Sequence, residues 1–375
     1  MVVLHIIRGL GLAGAENHLI MLLAGLRARG VDARLLLITA PGRPADDVFA
    51  AAQAHGIPVI RQPMRGLFDP PFFIWLWRTL RAAKPDIVHT HLVHAETYAI
   101  PAARLAGVRH VVNSSHNDDP FRRRWFFRPR NWVLWRLTDR GIAISEHIRR
   151  FVIGIEGARP AQVKTIHYGY APPEAVQDGG SIRRELGIPI EAPVIGSVCR
   201  LTEQKGLRYA LDALPRVLAQ FPQAHYIMAG DGPLRDDLRA QVAHLGLAER
   251  VHFLGWRADK LAVMAACDIF LAPSLWEGFG LVFLEAMAQA LPIVSTQVSA
   301  VPEIVQEGVT GHLVPPRDVG ALAAALIALL SDPQRACELG AAGQARLASI
   351  FRPERMIDQT LAIYADLQGE LHEAP

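Results

Sequence analysis

The chain has 375 residues, 51% of them hydrophobic and 20% charged, with a formal net charge of +3. That length supports two domains of ordinary size, each with its own core, and the composition excludes a disordered or repeat-built chain. Cys199, Cys267 and Cys337 are far apart and show no CxxC spacing, which argues against a disulfide framework or a zinc site and for a reducing compartment. No apolar stretch reaches the length of a membrane span. The opening MVVLHIIRGLG is too short an apolar run for a leader and reads as a first strand, so a cytoplasmic protein is expected.

Along the first half, VVLHII (2–7), ARLLLIT (33–39), IPVIRQ (57–62), DIVHTH (86–91), RHVVNSS (109–115), GIAIS (141–145) and QVKTIH (162–167) read as strands, with helical segments between most of them. This alternation predicts a parallel, doubly wound sheet whose ligands bind beyond the carboxyl ends of its strands. Four loops at those ends carry polar residues: GLGLAGAENHL after the first strand, HTHLVHAE at the fourth, NSSHNDDP after the fifth and ISEHIRRF after the sixth. Of the histidines at the fourth strand, His89 is expected to pack within the strand and His91 to face the cleft.

Residues 1–180 hold 23 Lys+Arg against 14 Asp+Glu, and the rest of the chain 16 against 22, so a basic half precedes an acidic one. Six arginines fall in FRRRWFFRPRNWVLWR (121–136), interleaved with Trp125, Phe126, Phe127, Trp132 and Trp135. Two readings fit. One is an anionic membrane surface, where rings sit at headgroup depth and arginines meet phosphates; the other is a helix covering the sheet, tryptophans inward. No nucleic-acid module accompanies the patch, so nucleic acid is not an expected partner.

Residues 171–192 (APPEAVQDGGSIRRELGIPIEA) are rich in Gly and Pro and read as a linker. It separates a first domain, 1–170, from a second, 193–353. The second opens with PVIGSVCRLTEQKGLRYALDAL, a strand, a loop bearing Arg200 and Lys205, and a helix. HYIMAGDGPL then turns at Gly230, and VHFLGW brings Phe253 and Leu254. In DIFLAPSLWEGFGLVFLEAMAQA, a buried strand leads through a glycine turn into a helix. That unit aims backbone N–H groups and the positive end of a helix dipole at whatever lies above the turn, which suits a phosphate. Gly278 and Gly280 permit close approach; Glu277 stands beside the turn and Glu285 about one turn into the helix.

PSLWEGFGLVFLEAMA resembles the donor-site motif of the family 4 retaining glycosyltransferases of GT-B fold. The segment around Arg200 and Lys205 is similar to the family's Gly-Arg-Leu…Lys-Gly stretch, and NSSHNDDP places His116 where the family has its active-site histidine. GLAGAENHL looks like the family's Gly-Gly-Ala-Glu loop, with Ala13 in place of its first glycine and close approach left to Gly14. Tyr168-Gly169 stands where the family usually has Asn-Gly, and Ala290, Ser299 and Ala300 where it often has glycine. The likeness covers nearly the whole chain, is highly specific over 193–316, moderate over 85–170 and weak over 40–84.

The resemblance implies an α/β protein of GT-B fold: two doubly wound Rossmann-like domains facing a central cleft, with a last helix, 354–370, packing back on the first domain. It implies hexosyl transfer from a nucleotide diphosphate sugar to an acceptor hydroxyl, with retention, no metal and no cofactor. Expected donor contacts are Glu285 on the ribose diol, Arg200, Lys205 and the amides of Gly278, Phe279, Gly280 and Leu281 on the diphosphate, and Gly14 and Gly230 at the edges. Phe253 and Leu254 are expected beside the base. Glu277 would hydrogen-bond the sugar and His116 would contact it from the opposite wall. A sugar or lipid-linked glycan is the expected acceptor, with an anionic membrane surface met through 121–136, which would make the protein peripheral on the inner face of the membrane. A glycosidase-like pairing of the two glutamates is rejected, since Glu285 is expected at the ribose. A sugar-nucleotide epimerase of the same fold and an inactive nucleotide-sugar-binding protein stand as alternatives.

Overall fold

The computed structural model describes residues 1–369 apart from 10, 13, 67 and 174–177; Ala13 therefore lies outside the described residues. Contacts divide the chain into two units, Met1–Gly169 joined by the segment from Arg352 onward, and Tyr170–Phe351.

Unit 1 is built on β1 (Val2–Arg8), β2 (Asp32–Thr39), β3 (Val59–Pro63), β4 (Ile87–His91), β5 (His110–Ser115), β6 (Arg140–Ala143) and β7 (Val163–Thr165). They form one parallel sheet in the order β3-β2-β1-β4-β5-β6-β7. Both faces are covered, which is why the strands are apolar nearly throughout. Side chains alternate between faces: Val3, Ile7, Leu35 and Leu37 join one core, Leu4, Ile6, Leu36 and Ile38 the other. His5 follows the period of Val3 and Ile7.

The Val3 face is covered by helices Gly14–Ala28 and Pro353–Gln368, whose Leu19, Leu23, Leu26, Met356, Ile357 and Tyr364 share its core. A Cβ at Gly25 would come within 2.1 Å of Ile357 Cδ1, and one at Gly169 within 2.5 Å of Pro353 Cα. Glycine at both positions lets the last helix lie against this unit.

Unit 2 contains β8 (Val194–Val198), β9 (His225–Ala229), β10 (Val251–Gly255), β11 (Ile269–Ala272), β12 (Ile293–Thr296) and β13 (Gly311–Val314), all parallel in the order β10-β9-β8-β11-β12-β13. In each unit the strand order reverses beside the first strand, between β1 and β4 and between β8 and β11. Crevices at such switch points are where doubly wound sheets bind ligands.

The stretch read as a linker differs from that expectation. Residues Gly179–Glu185 form a helix built into unit 2. Arg183 holds it there, donating to the carbonyls of Ala266, Ile190 and Ala192 at 2.8–2.9 Å and pairing with Asp268 at 2.9 Å. A Cβ at Gly179 would lie 2.2 Å from the Ala265 carbonyl oxygen. Gly and Pro here shape a packed turn.

Candidate active site

In unit 2, β8 and β11 deliver the two loops flanking the switch point. After β8 the chain passes Arg200, turns through Glu203–Lys205 and enters helix Leu207–Gln220 at Gly206, which has φ 62°. A Cβ on Gly206 would sit 2.0 Å from the Pro273 carbonyl oxygen, so glycine lets the two loops touch. They are also tied by Leu275 N–H to Gln204 O at 2.7 Å and Gln204 Nε2 to Trp276 O at 3.0 Å. From the other side, Ser295 Oγ donates to Ala272 O at 2.7 Å and Thr296 Oγ1 to Ser274 O. The turn is rigid before any ligand arrives.

Glu277 and Lys205 meet in this frame as an ion pair, their side chains 10% and 18% exposed. Burial opposes the lysine's charge, but the adjacent Glu277 carboxylate outweighs it and raises the Lys205 pKa. Lys205 is thus not a bare cation. Arg200 is exposed, and its guanidinium has no hydrogen-bond or ion-pair partner among the described residues.

Gly280, with φ 88°, opens helix Leu281–Ala288. Phe279, expected to meet the diphosphate through its amide, has a side chain that packs edge-on to Phe351, centroids 5.8 Å apart, the residue being 1% exposed. That side chain anchors the turn. Glu285 is buried and pairs with Lys260 at 2.6 Å, a partner the sequence does not flag. The phenol of Tyr170 lies near enough that Glu285, after burial, raises its pKa.

Gly230 has φ 136°, and a Cβ there would collide with Cys199 O at 1.8 Å, so it too marks a close backbone approach. On β10, Phe253 packs partly into the unit 2 core, and the register shifts between Phe253 and Gly255. Ala290 and Ser299 have φ 52° and 47°. That left-handed backbone is what the family's glycines would adopt freely, and here it is imposed on residues with a Cβ.

His116 and Gly14 belong to unit 1. Gly14 is exposed and starts helix Gly14–Ala28. His116 is 8% exposed, with both ring nitrogens engaged inside the unit: Nε2 with His91 Nδ1 at 3.0 Å, Nδ1 with the Tyr168 hydroxyl at 2.5 Å. His91, expected to face the cleft, is instead fully buried, with its Nε2 on His5 Nδ1 at 3.0 Å. His5 Nε2 reaches Tyr364 at 3.3 Å, and Tyr364 meets His89 Nδ1 at 2.6 Å. Burial holds His5 and His116 near pKa 3 and drives His89 and His91 well below 6.5. These imidazoles are neutral.

The ligating nitrogens of His5, His89 and His91 lie within 4.8 Å of one another, close enough for a tridentate metal set. The ring nitrogens are already engaged: those of His5 with His91 and Tyr364, those of His89 with Tyr364 and Ser114, and those of His91 with His5 and His116. No spacing in the sequence reveals the group, because it is assembled across β1 and β4.

Residues 12–172 match the family described as Glycosyltransferase Family 4, and residues 192–332 the one described as Glycosyl transferases group 1. A GDP-mannose-dependent alpha-(1-6)-phosphatidylinositol monomannoside mannosyltransferase of Mycobacterium tuberculosis is 32% identical, over 87% of this chain and 88% of its own length. A phosphatidyl-myo-inositol mannosyltransferase of Mycobacterium leprae is 30% identical, over 85% and 84%. The crystal structure of Anabaena Alr3699/HepE in complex with UDP and glucose superposes with a TM-score of 0.84 at 26% identity, covering 98% of this chain and 100% of that one. The two doubly wound sheets are those of the GT-B class. The chain belongs to the group 1, family 4 glycosyltransferases.

Proposed function

We propose that the protein moves a hexosyl group from a nucleotide diphosphate sugar to an acceptor hydroxyl, with retention at the anomeric carbon, in building a glycan or glycolipid. One observation carries this reading: the rigid turn Glu277–Gly280 stands at the unit 2 switch point with Lys205 on Glu277 and Glu285 buried on the following helix. Arg200, Lys205 and the amides from Gly278 to Leu281 hold the diphosphate, and Gly230 and the backbone at Phe253 and Leu254 border the nucleotide. Glu285, oriented by Lys260, takes the ribose diol. Glu277 accepts from sugar hydroxyls while keeping Lys205 at the phosphate. As the glycosidic bond breaks, the departing phosphate takes the proton of the incoming hydroxyl on the same face. Arg200 and Lys205 stabilise the charge left on the diphosphate, so the reaction needs neither metal nor cofactor.

The relatives support a nucleotide-sugar donor and a lipid-linked acceptor. For a peripheral place on an anionic membrane the support lies in residues 121–133. Trp125 is 80% exposed, Phe126 and Trp132 50% each, with Arg124 and Arg128 exposed among them. No described helix is long and apolar enough to cross a membrane. Arg122 belongs to none of this, being buried between Glu96 at 3.2 Å and Glu156.

A proton NMR time course with UDP-, GDP-, ADP- and TDP-sugars tests the reading. Consumption of one donor with release of its nucleotide diphosphate and an α-anomeric product supports it. Conversion of the donor to its epimer without nucleotide release would show the epimerase instead.

A further inference from the structure

At the carboxyl ends of β2 and β3, a cavity of about 630 Å³ opens between the turn after Thr39 and the loop before Asp69. It lies wholly within unit 1, at the β3 edge of the sheet rather than at the switch point between β1 and β4. Pro41, Pro44, Pro63, Pro71 and Phe72 give it an apolar lining. A volume of this size, apolar with a few polar groups, is that of a small-molecule pocket. Its walls are preset. The Arg43 N–H donates to Ala40 O at 3.0 Å, closing the turn through Gly42, which has φ 71°. Asp69 holds the opposite loop, accepting from the Arg65 N–H at 2.7 Å and the Phe72 N–H at 3.1 Å.

Each polar side chain left free on this lining can donate. Thr39 is 4% exposed, and its hydroxyl has no hydrogen-bond partner among the described residues. The amide of half-buried Gln62 and the guanidinium of exposed Arg65 have none either. Arg61 lies over the Phe49 ring with Nη1 on Asp46 at 2.6 Å, which leaves it further N–H groups. Asp69, the carboxylate of the lining, has both oxygens on backbone N–H groups, first that of Arg65 and then that of Phe72, and they hold its pKa below the usual carboxylate value. Buried hydroxyls are nearly always paired. An unpaired one among free donors, at the carboxyl ends of a doubly wound sheet, marks a place built for an acceptor-rich ligand.

We propose that this cavity binds the phosphate group of an organic phosphate ester, with Arg65 its principal cation and Thr39, Gln62 and Arg61 donating beside it. Phosphate suits the set better than a carboxylate. Its terminal oxygens accept from donors on several sides, whereas a carboxylate presents two oxygens in one plane. The cavity is larger than a phosphate fills, and its prolines and Phe72 meet the uncharged body that carries the group. A soluble ester and a lipid headgroup share this chemistry; Phe68, 88% exposed in the same loop, adds apolar surface for the second. No group assigned to the sugar donor belongs to this cavity, so it stands or falls independently of the glycosyltransferase reading.

The test titrates ¹⁵N-labelled protein with glycerol 3-phosphate, dihexanoyl phosphatidic acid, glycerol and glycerate. The backbone amides of Gly42 and Gln62 report on this cavity, and those of Gly278 and Gly280 on the turn in unit 2. At least one of the two phosphates should shift Gly42 and Gln62, while glycerol leaves them in place and glycerate binds about tenfold more weakly. Arg65→Ala should weaken that binding about tenfold and Thr39→Val severalfold, with any shifts at Gly278 and Gly280 unaltered. Tighter binding of the phosphatidic acid identifies a lipid headgroup, and equal or weaker binding a soluble ester. No shift at Gly42 and Gln62 with either phosphate, unchanged affinity in Arg65→Ala, or glycerate binding as well as glycerol 3-phosphate overturns the proposal. Should Thr39→Val lower the melting temperature, Arg65→Ala decides, since its exposed side chain holds nothing in the fold.

Discussion

Lys205 and Glu277 lie 72 residues apart in sequence, yet their side chains form a mostly buried ion pair where the loops after β8 and β11 meet. The pairing means that the cation expected at the diphosphate and the carboxylate expected at the sugar are one unit. Each holds the other in place before a donor binds.

Breaking that unit is expected to cost more than a surface pair would. Lys205→Ala leaves a buried carboxylate alone, and chemical denaturation should show a loss of about 3 kcal/mol. Lys205→Met with Glu277→Gln should recover most of it, while kcat stays down about 10²-fold. The pH dependence follows from the raised folded-state pKa of Lys205. The pair's contribution is fully present below the unfolded value of 10.5 and is lost as pH rises through the higher folded value. Equal stability of Lys205→Ala and wild type at neutral pH would contradict the pairing.

Arg200 carries no such structural duty. Arg200→Ala should melt like wild type yet lower kcat about 10²-fold, and Arg200→Lys should recover only part, because the planar fork is lost. Wild-type turnover should also persist in EDTA. Full activity in Arg200→Ala, or a strict need for added Mg²⁺, removes the two-cation account.

The row of buried imidazoles makes the protein sensitive to acid. His5 and His116 titrate near 3 when folded and near 6.5 when unfolded, so the unfolded chain binds more protons between those values. Stability therefore falls as pH drops below 6.5, by about 2 kcal/mol for each of these two groups at pH 5. Urea unfolding at pH 7.5, 6 and 5 should show midpoints moving steadily down, and His5→Gln should flatten the slope. A midpoint indifferent to pH over this range would mean that the imidazoles are not held neutral.

The face carrying Trp125 and Trp132 should bring the protein to vesicles containing anionic lipid. Arg124→Ala with Arg128→Ala should weaken flotation severalfold at unchanged melting temperature, and Trp125→Ser should do the same. Arg122→Ala is a different case: it leaves Glu96 and Glu156 buried without their cation and should destabilise unit 1. Flotation that ignores lipid charge would leave the patch without its proposed partner.

The strands, their parallel doubly wound class and the glycine turns were legible in the sequence because each leaves a local signature. Unbroken apolar runs announce strands buried on both faces, and Gly206, Gly230 and Gly280 stand where the backbone is left-handed or crowded. The pairings were not legible. Lys260 reaches Glu285 across 25 residues, and His5, His91 and Tyr364 meet only because β1, β4 and the last helix share one face. A motif identifies residue types at a spacing and says nothing of which nitrogen is already taken. That is why His91 reads as facing the cleft in the sequence and is a buried link in the structure. Residues 179–185 fail for a related reason: Gly and Pro signal a turn equally well in a linker and in a packed corner.

The account stands on unit 2 binding a nucleotide diphosphate sugar with Glu285 on its ribose. Isothermal titration of UDP-, GDP-, ADP- and TDP-sugars against wild type and Glu285→Gln measures this directly. At least one donor should bind wild type and lose tenfold or more in Glu285→Gln, with Lys260→Ala between the two. Equal affinity in wild type and Glu285→Gln, or no binding of any of the four, contradicts it.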